Sequence, residues 1–88
     1  MSYRVEFTSA TKRQLKEMDR FDASLILNWI EKNLEGCADP RAHGKGLTAN
    51  RSGEWRYRVG SYRILAIIQD GRLAIEVFKV GHRSEVCD

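Results

Sequence analysis

Trp55-Arg56-Tyr57-Arg58-Val59-Gly60-Ser61-Tyr62-Arg63-Ile64-Leu65-Ala66-Ile67-Ile68-Gln69 is the stretch whose reading decides the fold. Residues 55–59 alternate large apolar side chains with arginine, the period-two signature of a strand with one buried face. Gly60-Ser61 offers a two-residue reversal, because glycine takes positive φ without steric cost. Residues 62–69 are β-branched and apolar, as expected of a central strand. A two-residue loop sets the register: Val59 opposite Tyr62, Arg58 opposite Arg63, Tyr57 opposite Ile64. Arg56, Arg58 and Arg63 then share one face, while Trp55, Tyr57, Val59, Tyr62 and Ile64 share the other. Like charges directly across a ladder destabilise it. The Arg58–Arg63 pair therefore points to a function, and a bound polyanion is the natural candidate.

Downstream, Asp70-Gly71 is a strong two-residue hairpin signal. Leu73, Ile75 and Val77 then alternate onto the buried face with Tyr62, Ile64, Ala66 and Ile68. The same register puts Phe78 beside Arg63 on the arginine face, together with Leu65, Ile67 and Val80. His82 and Arg83 emerge at the strand end near the Arg58–Arg63 pair. Upstream, Tyr3, Val5 and Phe7 alternate as a first strand. Thr8 or Ser9 caps a helix carrying Leu15 and Met18, with Lys12, Arg13, Lys16 and Glu17 on its wet side. Asp22 caps a second helix, whose stripe is Leu25, Ile26, Trp29, Ile30, Asn33 and Leu34, and Gly36 ends it.

Cys37 to Gly53 is a long connection with a turn at Asp39-Pro40 and breaks at Gly44, Gly46 and Gly53. Connections of this length are often functional, and this one delivers Arg41, His43 and Lys45 towards the arginine strand. Gly44-Lys45-Gly46 is not a nucleotide-binding loop: Asp39 stands where the first glycine belongs, and no Ser or Thr follows Lys45. The order is β-α-α-β-β-β in one α+β domain, residues 1–88. A helical hairpin covers one face of a small, mainly antiparallel sheet and leaves the other face as a docking site.

The composition, 42% hydrophobic and 31% charged, is that of a globular domain rather than a disordered tail. No segment approaches the ~20 apolar residues of a membrane span, and the N-terminus lacks a signal peptide's apolar core. A cytoplasmic location is the expectation. Cys37 and Cys87 are too few for a disulfide framework, and with His43 and His82 they lack the short spacing of a zinc site. No metal or cofactor is expected. Residues 41–63 hold six Lys/Arg against Glu54, a balance of +5, while the remainder of the chain sums to −2. A local positive field suits a phosphate backbone.

Asp39-Pro40-Arg41 with His43-Gly44-Lys45, then Trp55-Arg56-Tyr57-Arg58-Val59-Gly60 into Tyr62-Arg63, then Val80-Gly81-His82-Arg83 resemble motifs of the RelE/ParE superfamily, toxins of type II toxin–antitoxin pairs. The element order is similar too, over essentially the whole chain. In the RelE branch the resemblance implies a ribosome-dependent mRNA endonuclease that cuts in the A site and inhibits translation without a metal. Carried over by position, it implies that Arg56 and Arg58 fill the paired basic positions, Arg63 the arginine of the next strand, and Arg83 the arginine after the last. Two departures stand out. Glu85-Val86-Cys87 lies where many relatives end in tyrosine, and there is no room for their C-terminal helix.

Cleavage of this kind needs a base for the ribose 2′-OH, stabilisation of phosphorane-like charge, and a proton for the leaving oxygen. Arg58, Arg63 and Arg83 suit the second task, as planar forks that stay charged. His82 is the acid/base candidate. Arg41, Lys45, Arg51 and Arg56 are the candidates for gripping RNA or the ribosome. The implied partner is a RelB-like antitoxin, docking on Leu65, Ile67 and Phe78, through which the pair binds operator DNA. The alternatives are a ParE-like DNA gyrase poison that acts by binding, or a catalytically weak RNA-binding relative.

Overall fold

The computed structural model describes residues 1–46 and 53–86. β1 (Arg4–Phe7) leads into α1 (Ser9–Glu17) and α2 (Arg20–Asn33), followed by β2 (Lys45–Gly46), β3 (Glu54–Val59), β4 (Tyr62–Gln69) and β5 (Ala74–His82). One sheet runs β1-β5-β4-β3-β2. β1 pairs with β5 in parallel and every other pair is antiparallel. The two-residue edge strand β2 adds a fifth strand to the expected four.

The central hairpin has the register its sequence dictates, with Val59 opposite Tyr62, Arg58 opposite Arg63 and Tyr57 opposite Ile64. Gly60 takes φ +58° at the reversal. Its apolar face joins Ile75, Val77 and Val80 of β5 and Ile26, Ile30 and Leu34 of the second helical segment in one core. Each such side chain, fully buried, contributes roughly 1.5–3 kcal/mol. The helices lie against this face, α1 on β5 and α2 on β3.

Thr8 caps α1, its Oγ1 accepting from Thr11 N–H at 3.2 Å. The cap of α2 is Asp19 rather than Asp22: Asp19 Oδ2 accepts from the N–H groups of Phe21 and Asp22. Asp22, one turn inside, takes the Tyr62 hydroxyl at 2.7 Å and ties α2 to β4. Leu25 leaves the expected stripe and is 44% exposed, because the arc that meets the sheet runs through Ile26, Trp29 and Ile30.

Asp70-Gly71 does not close a two-residue hairpin. Asp70–Arg72 form a 3-10 turn, and Leu73 follows at φ +52°. A β-bulge interrupts the β4–β5 ladder: Leu65 faces Lys79 and Ala66 faces Val77, leaving Phe78 as the extra residue. α1 satisfies the disrupted ladder. Thr11 Oγ1 donates to Val77 O at 3.1 Å, and Val80 N–H donates to Gln14 Oε1 at 2.9 Å. Beyond a bulge the strand changes face. Val80 is therefore a core residue opposite Ile64, not a neighbour of the arginines, and His82 pairs with Tyr62.

Candidate nucleic-acid interface

The arginine face is completed by the connection that precedes β3. Tyr57, fully buried, donates its hydroxyl to Pro40 O at 2.7 Å, and Trp55 Nε1–H donates to His43 O at 2.6 Å. Burial pushes the Tyr57 phenol far above its ordinary value, so it remains a donor. Trp29 of α2 sets its ring against both His43 and Tyr57. These anchors draw the connection onto the edge of β3, where only glycine fits. Gly44 sits at φ +76°, and a Cβ there would collide with Arg56 O. Lys45 then pairs with Arg56 across β2 and β3. The result is a cleft of about 270 Å³ lined by Gly44, Lys45, Arg56 and Arg58.

Lys45 and Arg58 are exposed and Arg56 is half-buried. Two arginine forks and a lysine on one wall form a phosphate-binding surface, since the forks bind oxyanions bidentately and the ammonium adds a point charge. Arg63 extends the same face but is only 6% exposed, and its Nη1 donates to Tyr62 O at 3.3 Å. It faces Gly81, and a Cβ on Gly81 would lie 2.8 Å from Val86 Cγ2. The turn after β5 thus folds back over this end, held by Glu85 and Val86 N–H groups donating to His82 O, and buries Val86. Arg83 is exposed beside the β3–β4 turn, its N–H donating to Ser61 O at 2.7 Å.

Two candidates lie elsewhere. His82 does not join the arginines: the bulge turns it to the helix-covered side, where its ring meets Tyr62 edge-on at 5.7 Å and Nδ1 contacts Ser84. There it lines a separate cavity of about 450 Å³ with Gln14, Glu17, Asp19, Tyr62 and Glu85. Arg41 is exposed but engaged, bidentate to Asp70 at 3.0 and 2.9 Å, with its guanidinium 5.9 Å from the Trp55 ring. Trp55 belongs to the core side of β3, and Arg41 is not among the residues that line the cleft. Arg51 and Cys87 lie outside the described residues.

On the open face Leu65 is buried, contrary to its expected role as an accessible docking residue, while Ile67 and Phe78 are half-buried. Sequence patterning misses Gly44 as the residue that admits the connection; its position between His43 and Lys45 is visible, but its need for a bare Cα is not. Among the described residues no group of three His, Cys, Asp or Glu side chains is placed to hold a metal, and no helix is long and apolar enough to cross a membrane.

Comparison with known proteins is consistent across sequence and fold. The family described as "ParE toxin of type II toxin-antitoxin system, parDE" matches residues 5–87. Toxin RelG of Mycobacterium tuberculosis (strain ATCC 25618 / H37Rv) is 27% identical over 86 residues, 98% of this chain and 97% of the relative. The toxin–antitoxin complex RelBE2 of Mycobacterium tuberculosis contains a chain that superposes with a TM-score of 0.82 at 26% identity, covering 96% of this chain and 94% of that one. The archaeal RelE–RelB complex of Pyrococcus horikoshii OT3 shares the fold, with a TM-score of 0.72 at 21% identity over 98% of this chain and 100% of the other.

Proposed function

This chain belongs to the ParE toxin family of type II toxin–antitoxin systems, within the RelE/ParE superfamily, and we propose that it is a ribosome-dependent endoribonuclease that cuts mRNA in the A site and inhibits translation. The observation that carries this reading is the cleft of Lys45, Arg56 and Arg58 against β3. Arg56 and Lys45 hold the backbone on either side of a phosphate. Arg58 stabilises the charge that develops as the 2′-oxygen attacks, the work that preorganised cationic donors do best. Arg83 approaches from the strand end, and Arg63, covered by the C-terminal turn, orients the face from beneath.

No arginine readily accepts a proton, because the guanidinium stays charged and offers no acceptor, and both histidines sit on the helix side of the sheet. The charged groups that line the cleft among the described residues are all cations, and we assign proton transfer to groups that the substrate or the ribosome brings. The cognate partner is an antitoxin with an acidic, amphipathic segment that lies along the cleft, covers Ile67 and Phe78, and neutralises the arginines. Operator DNA is bound through the antitoxin.

Primer extension on a translated reporter mRNA, with and without purified ribosomes, tests the reading. Cuts at codon-spaced positions that need ribosomes are expected, falling on the order of 100-fold in Lys45→Ala/Arg58→Ala, the scale of removing oxyanion-stabilising donors. Cuts unaffected by that double substitution would refute the mechanism. A second reading, a gyrase poison acting by binding alone, is favoured by one feature: neither histidine faces the cleft. A DNA-damage response on expression, with reporter mRNA intact, selects it.

A further inference from the structure

His82 lies on the helix side of the sheet, yet its backbone and its ring both fasten the turn that follows β5. Its carbonyl oxygen accepts from the N–H groups of Glu85 at 2.7 Å and Val86 at 3.1 Å, and its N–H donates to Glu85 Oε1 at 3.2 Å. The ring adds a further bond. Ser84 N–H donates to His82 Nδ1 at 3.2 Å, and Ser84 Oγ lies 2.9 Å from the same nitrogen. A backbone N–H can only donate, so in this geometry Nδ1 keeps its lone pair and the ring proton is on Nε2. An Asn or Asp that accepts from the N–H two residues on makes an Asx turn; here imidazole makes it. Tyr62 meets the ring edge-on and is itself held through its hydroxyl by Asp22, so the ring has a fixed seat. Arg83 stands between the two partners of this bond. Its own N–H donates to Ser61 O at 2.7 Å, beside the β3–β4 turn, and its side chain is exposed.

We infer that His82 is a positioning residue for Arg83: by accepting from Ser84 N–H it fixes the turn that sets where the Arg83 guanidinium meets the arginine face. The inference rests on the nuclease reading, in which Arg83 approaches the substrate from the strand end. His82 moves no proton of the substrate, because its ring is on the other side of the sheet from the cleft. Its protonation state still matters. An imidazolium donates from both nitrogens, so Nδ1 can then reach only Ser84 Oγ, and Ser84 N–H loses its acceptor. The titratable groups that face the ring are Glu17 from α1, Asp19 from the cap of α2, Tyr62 from β4 and Glu85 from the turn itself.

The test is the rate of mRNA cutting on purified ribosomes by the full chain and by His82→Ala, His82→Asn, Arg83→Ala and His82→Ala/Arg83→Ala. His82→Ala is expected to cut about ten- to a hundredfold more slowly, the scale on which a misplaced group costs rate. His82→Asn should stay within about threefold of the wild type, because Asn Oδ1 accepts from the same N–H. In the Arg83→Ala chain, adding His82→Ala should lower the rate no further, since the two residues act as one unit. A loss that adds to that of Arg83→Ala overturns the inference. So does His82→Asn as slow as His82→Ala, which would give the ring itself a part in proton transfer, or His82→Ala as fast as the wild type. The Ser84 amide proton, followed by NMR, reads the bond without a ribosome. Its resonance should move upfield in the wild type as pH falls from about 8 to about 5, the range in which histidine titrates, and hold in His82→Asn. A resonance that holds in both overturns the bond. A wild type that never cuts, with Ser84 behaving as stated, removes the nuclease and leaves His82 holding the turn that carries Arg83.

Discussion

One methyl group on Gly44 is enough to unmake the cleft. Gly44→Ala drives a Cβ into Arg56 O, whereas Gly36, at φ +77°, has nothing within 4 Å of its own added Cβ. Gly36→Ala should therefore cost only the left-handed backbone penalty, about 1 kcal/mol. Gly44→Ala should cost more, roughly 2–4 kcal/mol by urea unfolding, and should abolish RNA binding in the cleft. Asp70 gives a second residue-level test. The Arg41 guanidinium and then the Tyr3 hydroxyl hold its carboxyl at about 2, below the usual carboxylate range. A depressed folded value means that the ion contributes stability above the unfolded value near 4. That contribution drains as pH falls towards 2. Urea midpoints of the wild type should fall through this window, while Asp70→Asn starts lower and loses less. The Arg41–Asp70 pair is illegible in the sequence because its partners are remote along the chain and each looks like an ordinary turn or surface residue. The Arg58–Arg63 pair is legible, because a two-residue turn leaves only one register.

At the scale of elements, β5 shows where patterning stops. Its alternation through Ile75 and Val77 is plain, yet the bulge at Phe78 is held by Thr11 and Gln14, far upstream on α1. No local signal marks a bulge stabilised from another element, so alternation alone puts Val80 and His82 on the wrong face. The α2 cap falls one turn before Asp22 for a simpler reason: Asp19 and Asp22 flank Phe21, and either suits a helix start. Gln14→Ala should leave Val80 N–H buried without its acceptor, a cost of about 1–3 kcal/mol. Native-state hydrogen exchange should show the Val80 amide opening faster, with the β3–β4 ladder unchanged. If the Val80 amide keeps its protection, α1 does not hold the bulge.

For the whole molecule, the two faces of the sheet divide the labour: one buries the core under the helices, and the other presents cations beside the half-buried Ile67 and Phe78. Ile67→Glu/Phe78→Glu should lose co-purification with the antitoxin while the domain stays folded by circular dichroism; retained co-purification would place the antitoxin elsewhere. The parallel pairing of β1 with β5 carries a consequence of another kind. Arg4 meets Ala74 and Phe7 meets Val77, so the first strand of the sheet in sequence finds its partner in the last. Between them lie both helices and the other three strands, and that loop must close before β1 has a neighbour in the sheet. The β3–β4 hairpin, by contrast, closes across two residues, so the sheet assembles from its centre outward and β1 is the strand that joins last.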